Sequence, residues 1–164
     1  VNVVAVEVVG VRVEMPNNQP VLLLRESGGT RFLPIWIGAV EATAIAFAQQ
    51  DVEPPRPLTH DLLCQILETF KHPLVAVNID RLDRGVFYAS LVFGDGTTIS
   101  ARPSDAIAIA LRVGAPTSVA DEVFEEASVE TPEVEEEVEV EAFREFLDNV
   151  SPEDFGGDEP KPEN

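Results

Sequence analysis

One cysteine, Cys64, is all that this chain of 164 residues holds, so no disulfide can form within it and a reducing compartment is the simplest setting. Histidine is nearly as scarce, with only His60 and His72. Any metal site must therefore draw mostly on oxygen ligands, which favour Mg²⁺, Mn²⁺ or Ca²⁺ over Zn²⁺. No apolar run approaches the roughly 18 residues of a membrane span, and no basic-then-apolar leader opens the sequence. The expectation is a soluble, cytoplasmic protein with no membrane partner. Missing too are a phosphate-binding P-loop, a GxSxG elbow, an HExxH helix and a CxxC pair, so no single motif names a mechanism.

Positive charge is also in short supply, and its distribution matters. Residues 1–120 carry 12 Asp/Glu and 9 Lys/Arg, a balance of −3, whereas residues 121–164 carry 18 acids and 2 bases, a balance of −16. The net charge of −19 therefore belongs mainly to the C-terminal stretch. A general nucleic-acid binder normally shows a basic footprint, and none is visible in this composition. The 45% apolar content does suffice for a packed core, and the length suits one domain better than two.

Valine-rich Val3 to Val13 reads as a strand, Val21 to Leu24 as a second, and Arg31 to Ile37 as a third after a turn at Gly28-Gly29. Alanine-rich Glu41 to Gln50 reads as a helix. The prolines of VEPPRP (52–57) forbid one, because each fixes φ and removes a donor. A second helix opens at Thr59 and stops before Pro73, with Leu62, Leu63, Ile66, Leu67 and Phe70 in one stripe and Asp61, Gln65 and Glu68 opposite. Strands follow at Leu74 to Leu82, Val86 to Phe93 and Thr97 to Ala101, with turns at Arg84-Gly85 and Asp95-Gly96. Ser104 is placed as the cap of an apolar helix, Asp105 to Val113, and Thr117 to Val119 as a last edge strand.

The expected class is α+β, a mostly antiparallel or mixed sheet carrying three helices, since strands and helices are segregated. A domain over residues 1–125 would precede an acidic, disordered tail over 126–164. Within that tail Phe143, Phe146, Leu147 and Val150 recur at i, i+3, i+4, i+7, which predicts a short amphipathic helix near 139–150 and a protein partner for it.

Three carboxylates open helices, Glu41 in IGAVEATAI, Asp61 in RPLTHDLL and Asp105 in RPSDAIAIALR. A first-turn carboxylate is stabilised by the helix dipole and free N–H groups without any catalysis. If they converge, Asp61 and Asp105 become candidate ligands for Mg²⁺ or Mn²⁺, and Glu41, Asp61 and Asp105 candidate catalytic groups. Arg56 and Arg102, with Thr59 and Ser104, are candidate phosphate contacts. Their alternative is an Arg–carboxylate pair fixing the loop before each helix. Asp105, beside an apolar helix, needs a partner, either Arg102, Arg112 or an ion. His60 is a candidate general base, as histidines ordinarily titrate near neutrality. Cys64 reads as a small packing residue. Trp36 reads as core or subunit contact, with stacking on a base as the other option.

LPIWIG with EATAI, then EPPRPLTHDLL, then ARPSDAIAIALR, in that order and spacing, resemble the bifunctional-nuclease domain family over about residues 3–125. The ending FREFLDNVSPEDF (143–155) is similar to that of actinobacterial members. The resemblance implies cleavage of DNA and RNA and a homo-oligomeric assembly. It carries motif positions rather than roles, namely Glu41, Arg56, Thr59, His60, Asp61, Arg102, Ser104 and Asp105. A metal-assisted nuclease is the first expectation. An oligomeric scaffold that interacts through its acidic tail is the alternative, and a tail that covers and restrains a nucleic-acid surface would join the two.

Overall fold

The computed structural model describes residues 2–130. The tail helix expected near 139–150 lies outside the described residues. Eleven elements occur in chain order: β1 (Val3–Glu14), β2 (Gln19–Glu26), β3 (Phe32–Trp36), α1 (Ala39–Gln49), α2 (Thr59–Thr69), β4 (Leu74–Asp83), β5 (Val86–Phe93), β6 (Thr98–Ala101), α3 (Pro103–Val113), β7 (Thr117–Ala120) and α4 (Asp121–Ala127).

The strands form one mixed sheet in the order β3-β2-β1-β7-β4-β5-β6. Two antiparallel meanders, β1–β3 and β4–β6, follow from their short turns. In the β4–β5 turn Arg84 and Gly85 both take positive φ, 50° and 80°, as a two-residue hairpin matched to sheet twist requires. The meanders are joined by β7, which runs antiparallel to β1 and parallel to β4. The expected edge strand is thus the central strand of the sheet. Its four residues are too few to show alternation, but Val119 and Ala120 are buried because both flanks are occupied.

The α+β class holds, with four helices among the described residues instead of three. The extra one, α4, falls where the acidic composition begins. Two of its residues outweigh that composition, since Val123 and Phe124 are buried in the core. Arg31 secures α4 from the sheet side through Glu26 and Glu125, with its guanidinium 4.8 Å from the Phe124 ring centre. Just beyond the helix, Val129 bridges to Phe32 at the start of β3.

The core is where β2 is buried from Pro20 to Leu24, covered on both faces, and where α1 and α3 pack together. Both helices are buried nearly all round, and small side chains such as Ala42, Ala46, Ala106 and Ala110 allow their close approach.

Helix α2 overturns the orientation its apolar stripe suggests. Leu62, Leu63, Ile66 and Phe70 face outward, Phe70 being 69% exposed, and no residue of the helix is fully buried. The face turned inward holds His60, Asp61, Cys64 and Leu67. The last two pack against the core, and the first two make side-chain hydrogen bonds to α3. Two polar anchors therefore outweigh a larger apolar stripe in setting the rotation of this helix. Trp36 likewise points away from the core, 52% exposed, because alternation along β3 sends Leu33 and Ile35 inward.

Candidate functional site

Three helix starts come together on one side of the molecule, and the same backbone position matters in each. Gly38, Leu58 and Arg102 are the N-cap residues of α1, α2 and α3. Glu41, Asp61 and Asp105 therefore all occupy the third helical position, where a carboxylate lies near free N–H groups and the positive end of the helix. Ser104 is not the cap its chemistry suggested, and Thr59 is the first residue of α2 with Leu58 as the cap. Pro103 takes the first position of α3, where its fixed φ fits and its missing N–H costs nothing, and this moves the cap back to Arg102. In α2 the Asp61 carboxylate does the capping from inside, accepting the Leu58 N–H at 2.9 Å. Thr59 is exposed, and Ser104 is buried.

A chain of charge-assisted contacts crosses the three starts. Arg102 donates from Nε to Asp105 at 2.8 Å and from Nη2 to Glu41 at 2.9 Å, joining α3 to α1. His60 Nε2 lies 2.9 Å from the other oxygen of Asp105, joining α2 to α3. The His60 side chain is only 12% exposed, whereas Arg102 is open to solvent. Of the partners considered for Asp105, Arg102 is the one formed. Glu41 folds over its own N-cap, and a Cβ built on Gly38 would lie 2.2 Å from its Oε2. Glycine is therefore what leaves room for this carboxylate to reach Arg102.

Beside this chain stands a second pair. Arg112, in the last turn of α3, donates from Nε to Asp61 at 2.6 Å and from its two terminal nitrogens to the carbonyls of Ala108 and Ala44. One guanidinium, 10% exposed, thus ties α1, α2 and α3 together. Little in the chain order signals this role, because Arg112 and Asp61 are 51 residues apart and no local pattern links them. Arg56 stands apart, exposed and with no ion pair among the described residues, so a loop-fixing pair does not form there.

Burial works to raise the Asp105 carboxyl, but hydrogen bonds from Arg102 and His60 outweigh it and hold the group below the usual carboxylate range. The same balance holds for Asp61, where burial is outweighed by Arg112 and by the Leu58 N–H. Hydrogen bonds donated to Asp105 and Glu41 push the Arg102 guanidinium further up. An ionised Asp105 can only accept, so the His60 nitrogen facing it carries a proton, and in the neutral ring that leaves the lone pair on Nδ1. Burial raises the Cys64 thiol, which suits packing better than nucleophilic chemistry.

For a divalent ion the donor set is short. Among the described residues no three His, Cys, Asp or Glu side chains gather closely enough to hold a metal ion. Asp61 and Asp105 do not share a site, since each is neutralised by its own arginine, and the Arg102 guanidinium lies between Glu41 and Asp105 where a cation would bridge them. As arranged, these residues do not fit a resident Mg²⁺ or Mn²⁺. Among the described residues no helix is long and apolar enough to cross a membrane.

The uncharacterised proteins MT1877 and Rv1829, from two strains of Mycobacterium tuberculosis, are each 54% identical to this chain over 158 residues. The match covers 92% of this chain and 96% of each relative. The model of the bifunctional nuclease domain matches residues 22–132, which takes in β2 from Leu22 onward, the four helices of the described residues and every residue of the cluster just described. The chain belongs to the bifunctional nuclease domain family.

Proposed function

We propose that this protein hydrolyses phosphodiester bonds of DNA and RNA, with His60 as the proton acceptor and Arg102 as the phosphate contact. The observation that carries this reading is the unbroken chain Glu41–Arg102–Asp105–His60 across three helix starts. Asp105 holds the imidazole in one tautomer and orientation, a positioning role like that of the acid in other nucleophile–base–acid arrangements. Nδ1 of His60 takes a proton from a water as its oxygen attacks phosphorus. The bond to the leaving ester oxygen breaks, and the proton returns to that oxygen, leaving a phosphomonoester and an alcohol. Attack by water needs no 2′-hydroxyl, which is why one site serves both nucleic acids. Arg102, partly open to solvent, offers its remaining Nη1 donors to the phosphate. Glu41 and Asp61 keep Arg102 and helix α2 in place.

The steps above use only groups of this chain. The Mg²⁺ or Mn²⁺ expected to assist cleavage is therefore a variable of the test. Purified protein and His60→Gln, prepared identically, are assayed on single- and double-stranded DNA and RNA with Mg²⁺, with Mn²⁺ and with EDTA. Cleavage reduced about 10²–10⁴-fold in a folded His60→Gln supports the reading. Equal traces in both preparations overturn it.

A second reading rests on a different observation, the outward apolar face of α2 with Leu62, Ile66 and Phe70 exposed. In it the protein is a homo-oligomeric scaffold whose α2 face meets a second copy and whose acidic tail engages another protein. Light scattering of Ile66→Glu and Phe70→Glu beside the unmodified chain tests this. A shift to monomers supports it, and an unmodified chain already monomeric at high concentration removes it.

A further inference from the structure

Strands far apart in the sheet order line one cavity of about 430 Å³. Its walls come from the end of edge strand β3, the start of β5 and the start of α3, so the sheet curves far enough to bring these parts together. Trp36, Val86 and Phe87 supply apolar and aromatic surface, Gln19 an amide, Ser104 a hydroxyl and Arg102 a guanidinium. Trp36 and Val86 are each 52% exposed, although such side chains are normally withdrawn from water. The size and the mixture of apolar wall with a few polar groups are those of a small-molecule site.

Resting on the nuclease reading, we propose that this cavity is a base-binding subsite in which Trp36 stacks on one base of a single-stranded nucleic acid. Arg102 belongs both to the cavity and to the His60–Asp105 cluster, so a base seated here sets its neighbouring phosphate beside the proposed proton acceptor. Stacking on an aromatic face is tolerant of sequence, since every base has one. It also supplies affinity without the basic footprint that the composition does not show. Arg25, Arg31, Arg102 and Arg112 each hold a carboxylate at 2.9 Å or closer, and Arg81 and Arg84 share Asp83, so much of the positive charge among the described residues is already engaged. The Gln19 amide, both donor and acceptor, can meet the edge of any base.

The test uses the single tryptophan of the chain as the reporter. The full-length protein is titrated with a phosphorothioate-linked thymidine octamer and with an octamer of the same backbone lacking bases. Binding is followed in parallel by anisotropy of a labelled strand, which also serves Trp36→Leu and Trp36→Phe. Expected are quenching of Trp36 by the octamer with bases only, a loss of affinity of about 10–100-fold in Trp36→Leu, and partial recovery in Trp36→Phe. Equal affinity for the two backbones, binding without quenching, unchanged affinity in a folded Trp36→Leu, or no binding overturns the proposal. Cleavage is scored separately. Stacking without cleavage would sink the nuclease reading and leave the subsite, and cleavage indifferent to Trp36 would do the reverse.

Discussion

Asp61→Ala should damage this protein more than any exposed carboxylate would, because it removes the partner of a nearly buried guanidinium. Breaking a buried pair from one side costs about 3–5 kcal/mol, and the partial exposure of Asp61 reduces that figure. Losing the acceptor for the Leu58 N–H restores about 1 kcal/mol to the cost. A net loss of about 3 kcal/mol corresponds to a fall in Tm of roughly 9–15 °C for a domain of this size. Removing the charge from both sides is milder. The double variant Asp61→Ala/Arg112→Met should cost about 1–3 kcal/mol less than the sum of the single changes, since no unpaired ion remains. The acid limb gives a second readout. Asp61 has its folded pKa below the unfolded value, so its contribution is complete above about pH 4 and drains away as pH falls below that. Asp61→Ala should lack this part of the slope. Thermal unfolding from pH 7 to pH 2 would measure both effects, and a single variant within 1 kcal/mol of the parent, or strict additivity, would refute the reasoning.

Other consequences follow from the same contacts. Gly38→Ala should push the Glu41 carboxylate off Arg102 at little cost in stability, because the Gly38 backbone already has negative φ, and activity on oligonucleotides should change while Tm stays within about 2 °C. Glu41→Gln removes one of three carboxylates around Arg102 and Arg112, so affinity for a single-stranded oligonucleotide at low salt should rise severalfold. Truncation after Ala120 strips Val123 and Phe124 from the core and should cost at least about 3–5 kcal/mol, read by urea denaturation. Cys64, with its thiol raised by burial, should react with a disulfide reagent at pH 8 at least about tenfold more slowly than free cysteine does.

Much of the fold could be read directly because local chemistry decided it. Valine-rich alternation, Gly28-Gly29, Arg84-Gly85 and the prolines of 52–57 act within a few residues, and the elements around them follow. Errors arose where distant partners decide. Nothing inside Thr117–Ala120 tells a central strand from an edge, since its place depends on β1 and β4. The stripe of α2 pointed to the core, but Asp61 and His60 had partners on α3 that no window of sequence reveals. Helix α4 was hidden by its charge, although Val123 and Phe124 were the signal that it could be buried. At the site, Glu41, His60, Arg102 and Asp105 join in one chain and Asp61 pairs with Arg112 beside it, whereas Arg56 and Thr59 stay exposed. The link through Arg112 needed the folded geometry.

A kinetic double-mutant cycle decides whether His60 and Asp105 act as one unit. kcat/KM on a fluorescent single-stranded substrate is measured for the parent, His60→Gln, Asp105→Asn and the double variant, each checked for folding. The double variant should lose little more than His60→Gln alone, because a positioning residue has nothing left to position. Losses that multiply independently, or a folded His60→Gln as active as the parent, would contradict that coupling.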